Sequence, residues 1–262
     1  MSAPAATIVI PVFNRADLLD RCLRALDKTA RHDEIVVSDD GSTEDIGQVV
    51  ARHNQRGNIR HVRSDENRGF ACACNVGVGA ATGDVVVFLN SDTIPSEPGW
   101  LDALLDALDD PEVGLVGALL WYPGKPQRAQ HAGAGFTAQK SPLHLYRGMT
   151  KREAPGILIG KRLQWVTGAC MALRTEDLRM LGGFDESYRN GGEDLDLCFR
   201  VRLGLGLAVL YEPRAQMVHL EGQSDGRFDH ESANARRFFD RWEHAIQPDL
   251  MRIMEADGGL RT

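Results

Sequence analysis

Long apolar runs are missing from this chain. Across its 262 residues no uninterrupted apolar stretch is longer than Val85–Leu89. A bilayer-spanning helix needs roughly 20 such residues, so a transmembrane helix is not expected. No basic-then-apolar leader pattern precedes Thr7, where a strand-like run begins. Cysteine is scarce and odd in number, five in all, without the paired C-x-x-C spacing of a zinc site. Cys72 and Cys74 lie two apart in a helix-like segment and cannot face each other there. All five read as reduced thiols, which points to a cytoplasmic chain. Basic charge is in deficit too: 30 Lys and Arg against 37 Asp and Glu leave a net charge of −7. That balance disfavours a nucleic-acid partner. Neither G-x-x-x-x-G-K-[ST] nor a G-x-G-x-x-G after the first strand is present, which disfavours a P-loop and a dinucleotide-dependent dehydrogenase. The remaining composition, 43% apolar and 26% charged, is that of a globular chain. Its length suffices for a sizeable core without disulfides or structural metal.

What is present is a repeated strand-and-helix theme. Short β-branched runs begin at Thr7, Glu34, Ile59 and Asp84, with a fifth at Val113 to Leu120. The intervals between the first four leave room for a crossover helix each time. Leu19, Cys22, Leu23 and Leu26 follow the spacing of one buried helix face, with Asn14 as its expected N-cap. Helices are also expected over 45–53, 71–81 and 100–108. The succession predicts an α/β fold built on an open, mostly parallel sheet. After residue 121 the pattern changes. Residues 122 to 163 lack periodicity, and a connection of that length favours a functional loop or irregular strands. Val166 to Leu173 reads as a strand and Asp194 to Leu203 as a helix. Leu207–Tyr211 and Gln216–Leu220 read as two strand-like pieces, and residues 228–245 as a C-terminal helix with an aromatic stripe at Phe238, Phe239 and Trp242. One continuous domain over 1–262 is expected, with a first half (1–121), a second half (122–225) and a helical tail (226–262).

Open α/β sheets bind ligands beyond the carboxyl ends of their strands. Four polar or turn-forming clusters stand there: Pro11-Val-Phe-Asn-Arg, Asp39-Asp40-Gly41-Ser42, Asn67-Arg-Gly-Phe and Asn90-Ser91-Asp92. Each alone is ordinary turn chemistry. Their recurrence at one edge suits a nucleoside diphosphate. Asp39 could accept from a base or ribose, and Asp92 could hold Mg²⁺ or Mn²⁺ against two phosphates. In the second half, Gly191-Gly192 leads into Glu193-Asp194 at a helix start, where carboxylates are stabilised as anions. Those two either complement the helix dipole or supply a general base. Asp196 is spaced for an i, i+4 pair with Arg200. His219 is either a packed histidine or a ligand, depending on whether its strand ends near Asp92. Trp121, Tyr146 and Trp165 either stack on a ligand or fill the core.

Taken in order, the motifs resemble a family 2 glycosyltransferase of the GT-A (Rossmann-like) fold, rhamnosyltransferase-like. They are Ile8-Val-Ile-Pro-Val-Phe-Asn-Arg, Val36-Val-Ser-Asp-Asp-Gly-Ser-Thr, Glu66-Asn-Arg-Gly-Phe-Ala with Asn75-Val-Gly, Phe88-Leu-Asn-Ser-Asp-Thr, Gly182-Gly-Phe-Asp, Gly192-Glu-Asp-Leu-Asp-Leu and Val218-His-Leu-Glu-Gly. The resemblance implies that Pro11, Phe13, Asn14, Asp39, Asp40, Asn67, Gly69, Phe70, Asn75, Asn90 and Ser91 form the nucleotide site. It implies Asp92 and His219 as metal ligands and Asp194, beside Glu193, as the base. Asn90 stands where the family's D-x-D motif has its first aspartate, which should weaken metal binding unless His219 compensates. Inverting transfer from a nucleotide sugar, UDP- or dTDP-linked, to a glycan, lipid-linked or small-molecule acceptor is the implied activity, with Mn²⁺ or Mg²⁺ as cofactor. A further domain or a membrane surface could be a partner. The alternative is a non-catalytic sugar-nucleotide-binding or scaffold domain, which has no need of Asp92 or the Glu193-Asp194 pair.

Overall fold

The computed structural model describes residues 6–29, 34–220 and 230–259. The chain opens with β1 (Ala6–Val12), α1 (Ala16–Thr29), β2 (Glu34–Asp39), α2 (Ile46–His53), β3 (Ile59–Arg63), α3 (Phe70–Ala80) and β4 (Val85–Leu89). A short β5 (Thr93–Pro95), α4 (Trp100–Leu108) and β6 (Val113–Trp121) follow. Next come β7 (Ala129–His131), β8 (Ala134–Phe136), β9 (Pro142–His144), β10 (Lys161–Leu163), β11 (Cys170–Arg174) and α5 (Thr175–Met180). The chain continues through α6 (Glu193–Arg200), β12 (Ala208–His219), α7 (Glu231–Trp242) and α8 (Leu250–Ala256).

The central sheet runs in the order β10-β12-β6-β11-β4-β1-β2-β3, with β5 on β12 and β7 on β6. β1 pairs in parallel with β2 and β4, β2 with β3, and β6 with β12. β11 enters antiparallel between β4 and β6. The sheet is thus mixed but mostly parallel, as the α/β expectation has it. Helix α1 buries Leu19, Cys22, Leu23 and Leu26, the expected stripe. Two apolar layers result, one on each face of the sheet. All five cysteines are unpaired and buried. Burial pushes the thiols of Cys22, Cys74, Cys170 and Cys198 up, that of Cys198 to about 12, so they stay protonated. Among the described residues no helix is long and apolar enough to cross a membrane.

Several expectations change on contact with the structure. The strand expected at Val166 starts only at Cys170, because Thr167-Gly168-Ala169 forms a loop. The two pieces around Pro213 are one strand, β12, with a register shift between Glu212 and Gln216. A bulge lets the strand carry a proline that cannot donate to the ladder. Asn14 does not cap α1; its side chain turns to the loop after β2. Glu44 instead accepts from the backbone N–H of Arg15 (3.1 Å) and Ala16 (2.8 Å) at that helix start. Glu221 and Gly222 of the histidine motif, and residues 228–229 of the expected C-terminal helix, lie outside the described residues. The aromatic stripe of α7 packs inward, with Phe238 against Phe136 and Phe199. Helix α8 falls in the span read as a helical tail, as a separate helix beyond the one expected at 228–245.

The stacking aromatics are core residues. Trp121, Tyr146 and Trp165 are all buried, Tyr146 to 3% exposure. The Tyr146 hydroxyl donates to Asp257 Oδ2 (2.7 Å), which also takes Lys161 Nζ (2.6 Å). Burial pushes this phenol above its ordinary value, so it remains a donor. The contact ties the segment after β9 to the end of α8. Tyr146→Phe leaves that carboxylate short of one donor. A hydrogen bond to a charged group contributes about 1.5–3 kcal/mol, and urea unfolding should show a loss of that size.

Candidate active site

A cavity of about 230 Å³ opens at the carboxyl edge of β1, β2 and β4. The loops after β1, β2, β3 and β4 build it from the first half. The turn after β1 holds Asn14 and Arg15 at φ 55° and 54°. Asparagine tolerates the left-handed region better than most residues. Here its Oδ1 accepts from Thr43 N (2.8 Å), Thr43 Oγ1 (3.1 Å) and Glu44 N (3.3 Å). The Asn14 N–H donates to Ser42 Oγ (2.8 Å). Asn14 therefore locks two loops together and is not on the cavity wall, whereas Pro11, the 44%-exposed Phe13 and Arg15 are.

The two aspartates after β2 part company. Asp39, 1% exposed, turns inward: its Oδ1 accepts from Ser42 N (2.8 Å) and its Oδ2 pairs with Arg63, with His61 Nε2 at 3.4 Å. Asp40 lines the cavity and accepts from the N–H groups of Arg68 (3.0 Å) and Gly69 (2.7 Å). Burial holds its carboxyl above the usual value, against the pull of those two donors. Gly41 between them and the next loop has φ +75°, and a Cβ there would lie 2.6 Å from the Glu66 carbonyl carbon. Only glycine permits that approach. Asn67, Gly69 and Phe70 line the wall beside Asp40.

Asn75 stands apart from the cavity. Its Oδ1 accepts from Phe184 N (2.8 Å), and its amide donates to Phe184 O (2.9 Å) and Glu186 Oε1 (3.0 Å). This explains Gly182-Gly-Phe-Asp without chemistry: a Cβ on Gly183 would meet Asn75 Oδ1 at 2.4 Å. The motif is a joint between α3 and the second half.

From the other side come Glu193 and Asp194 at the start of α6, both on the wall. A Glu193 carboxylate oxygen accepts from Gly191 N (2.6 Å). Asp194 Oδ2 accepts from Gly168 N (2.9 Å) and Oδ1 from Leu195 N (2.9 Å), so the carboxylate is held between the 167–169 loop and the first turn of α6. Asn190, at φ 54°, closes the gap by accepting from Phe70 N (3.1 Å).

The floor is Asn90-Ser91-Asp92, and here β12 arrives. Its pairing with β5 sets His219 opposite Thr93, next to Asp92. His219 Nε2 lies 3.1 Å from Asp92 Oδ1, yet it is buried without a hydrogen-bond partner. Neighbouring ligands of an octahedral cation, each about 2.0–2.1 Å from it, sit about 3 Å apart. A carboxylate oxygen and an imidazole nitrogen at that spacing fit such an ion. The Asn90 Oδ1, also buried and unpartnered, stands on the same floor. Among the described residues no three His, Cys, Asp or Glu side chains converge on one point. The protein would thus supply two ligands and leave the rest to substrate oxygens and water, as hard divalent cations accept.

Arg15, Thr167, Gly168, Ala169 and Asn190 are on the wall although the sequence reading did not single them out. A Thr-Gly pair inside an apolar run was the available signal for the 167–169 loop. For Arg15 and Asn190 the signal was only their place beside a motif.

An open α/β sheet with a carboxylate-lined cavity beyond its strand ends belongs to the ligand-binding α/β proteins. Residues 7–181 match the family model for Glycosyl transferase family 2, and the chain belongs to that family, an inverting one that uses nucleotide-sugar donors. The "Pre-mycofactocin glycosyltransferase" of Mycobacterium tuberculosis (strain CDC 1551 / Oshkosh) is 35% identical over 215 residues, 81% of this chain and 42% of that protein. The "N-acetylglucosaminyl-diphospho-decaprenol L-rhamnosyltransferase" of the same organism is 29% identical over 249 residues, 84% of this chain and 79% of that protein. The chain therefore spans less than half the length of the first of these relatives. The solved mannosyltransferase PcManGT from Pyrobaculum calidifontis, in complex with GDP-Man and Mn²⁺, shares the fold. Its TM-score is 0.67 at 19% identity, over 98% of this chain and 70% of that one. This likeness shows the GT-A fold.

Proposed function

We propose that the chain transfers a sugar from a nucleotide-sugar donor to an acceptor hydroxyl with inversion, as one GT-A unit over 1–262. The observation that carries the proposal is the meeting of Asp92, His219 and Asp194 on one cavity wall, contributed by three separate parts of the sequence. Asp40, Asn67, Gly69, Phe70, Pro11 and Phe13 would bound the nucleotide. Asp39 and Asn14 would act from behind, by holding the loops, and Asn75 by fixing α3 against the Gly182 turn. Asp92 and His219 would hold Mn²⁺ or Mg²⁺. The bound cation would supply neutralisation of charge on the departing diphosphate.

Asp194 receives the proton of the acceptor hydroxyl as that oxygen attacks the anomeric carbon. The new C–O bond forms as the bond to the diphosphate breaks, and the nucleoside diphosphate leaves with the electron pair. Attack opposite the leaving group inverts the centre. Gly168 N–H and Leu195 N–H hold the carboxylate in place.

UDP and dTDP sugars lead the donor candidates, from the family resemblance. The relatives' names include a diphospho-decaprenol-linked acceptor and a pre-mycofactocin, in keeping with a lipid-linked or small-molecule acceptor. Five buried, unpaired cysteines support a cytoplasmic site of action.

A thermal-shift panel tests the proposal: UDP, dTDP, GDP and CDP, each with Mn²⁺, Mg²⁺ or chelator. A ligand at about 100 times its Kd stabilises by about 2.7 kcal/mol, a rise of a few degrees for a chain this size. One nucleotide should raise Tm only with metal, and Asp92→Ala should remove the rise. No rise with any nucleotide would favour the scaffold alternative.

A further inference from the structure

Gln130 entered the sequence only as one residue of an irregular segment. It sits in the middle of β7, which the β6 ladder holds through His131 and Ala129. Its side chain engages His219 twice. Gln130 Oε1 lies 2.6 Å from His219 Nδ1, and Gln130 Nε2 donates to the His219 carbonyl oxygen at 3.3 Å. Both residues are buried, at 5% and 4% exposure, so water does not replace either contact.

We propose that Gln130 is a positioning residue that holds His219 in its Nδ1–H tautomer, keeping the Nε2 lone pair available beside Asp92. The inference rests on the reading of Asp92 and His219 as the cation pair. Its logic is a chain of donors and acceptors. The His219 carbonyl can only accept, so it fixes the Gln130 amide with its NH₂ toward that carbonyl. The amide oxygen is then the atom facing Nδ1, and it demands a proton there. One ring nitrogen of a neutral imidazole carries the proton, so Nε2 is left bare. A flipped amide would set two carbonyl oxygens against each other.

The competing tautomer has a definite home. An Nε2–H would find Asp92 Oδ1 3.1 Å away and could rotate to donate to it. That bond would occupy both ligands and close the pair to a cation. Gln130 thus decides between an open and a self-satisfied site, from a strand in the second half that lies outside the cavity wall. A leucine here would fill similar space and set no tautomer.

Histidine-labelled ¹⁵N NMR of the full chain tests this, with the His219 signals assigned through His219→Asn. The wild-type protein should show a protonated Nδ1 and an imine-type Nε2 at His219. Gln130→Leu should move the proton to Nε2. Mn²⁺ added alone should broaden the His219 signals, and Gln130→Leu should need about 10–100-fold more Mn²⁺ for equal broadening. An Nε2–H signal at His219 in the wild-type protein would overturn the proposal, even if the leucine variant failed to fold. So would a leucine variant with the wild-type tautomer. An Nδ1–H tautomer without any Mn²⁺ effect on the wild-type signals would overturn the cation reading of Asp92 and His219 and leave the tautomer assignment standing.

Discussion

Asp194→Asn should lower the transfer rate by about 10²–10⁴-fold, the contribution expected of a general base, with nucleotide affinity near that of the wild-type protein. The amide keeps one oxygen that can accept from Gly168 N–H or Leu195 N–H, so one of the two contacts at 2.9 Å is retained. What it loses is basicity. A steady-state assay with an identified acceptor should show the loss in kcat and in kcat/KM together, the pattern of an interaction made in the transition state. A variant that turned over at near the wild-type rate would remove Asp194 from the mechanism. Glu193 would then be the remaining carboxylate of the pair, although its contact to Gly191 N–H gives it a loop to hold.

The second large effect is on stability and follows from Asp196, two residues further along α6. The i, i+4 partner Arg200 is there, donating from Nε to Asp196 Oδ2 at 2.6 Å. The other oxygen takes Arg241 Nη1 (3.0 Å) and Trp242 Nε1 (2.8 Å), both from the end of α7. Asp196 is fully buried and joins the helix that carries Asp194 to the C-terminal helix. Asp196→Ala strands the mostly buried Arg200 guanidinium. Breaking a buried pair from one side costs about 3–5 kcal/mol, or on the order of 10 °C in Tm for a chain of this size. Urea unfolding should show the loss as a lower midpoint with an unchanged slope. Asp196→Asn, which keeps an acceptor for Trp242, should fall between. A loss under about 1 kcal/mol would mean that α7 is held chiefly by its other contacts, the packing of Phe238 and the hydrogen bonds of Asn234 and Arg237.

The sequence was most legible where one face of an element is buried. The stripe of α1 and the apolar runs of β1, β2 and β4 are local patterns, and each appears within a residue or two of its expected place. β11 was harder. Its residues read as a strand, but its antiparallel place between β4 and β6 depends on the return of a long connection, which no local pattern encodes. The three-residue strands β7 to β10 are too short to carry a period. For the site, residue type was legible and partner was not. Asn14 and Asn75 stand in motifs, yet what they bond is set by which loop the fold brings alongside. The pairing of Asp92 with His219 depended on one condition, that β12 end beside β5, and the register meets it. Gln130 had no signal at all, since a lone glutamine in an irregular segment matches no pattern.

The most direct test of the account is a crystal structure of the full chain with Mn²⁺ and the nucleoside diphosphate that the thermal-shift panel selects, recorded with anomalous scattering from manganese. The account expects an anomalous peak within coordination distance of Asp92 and His219 Nε2. The diphosphate should touch the same ion, and the Asp194 carboxylate should face the open end. A diphosphate bound away from Asp92, or manganese held by other residues, would contradict it.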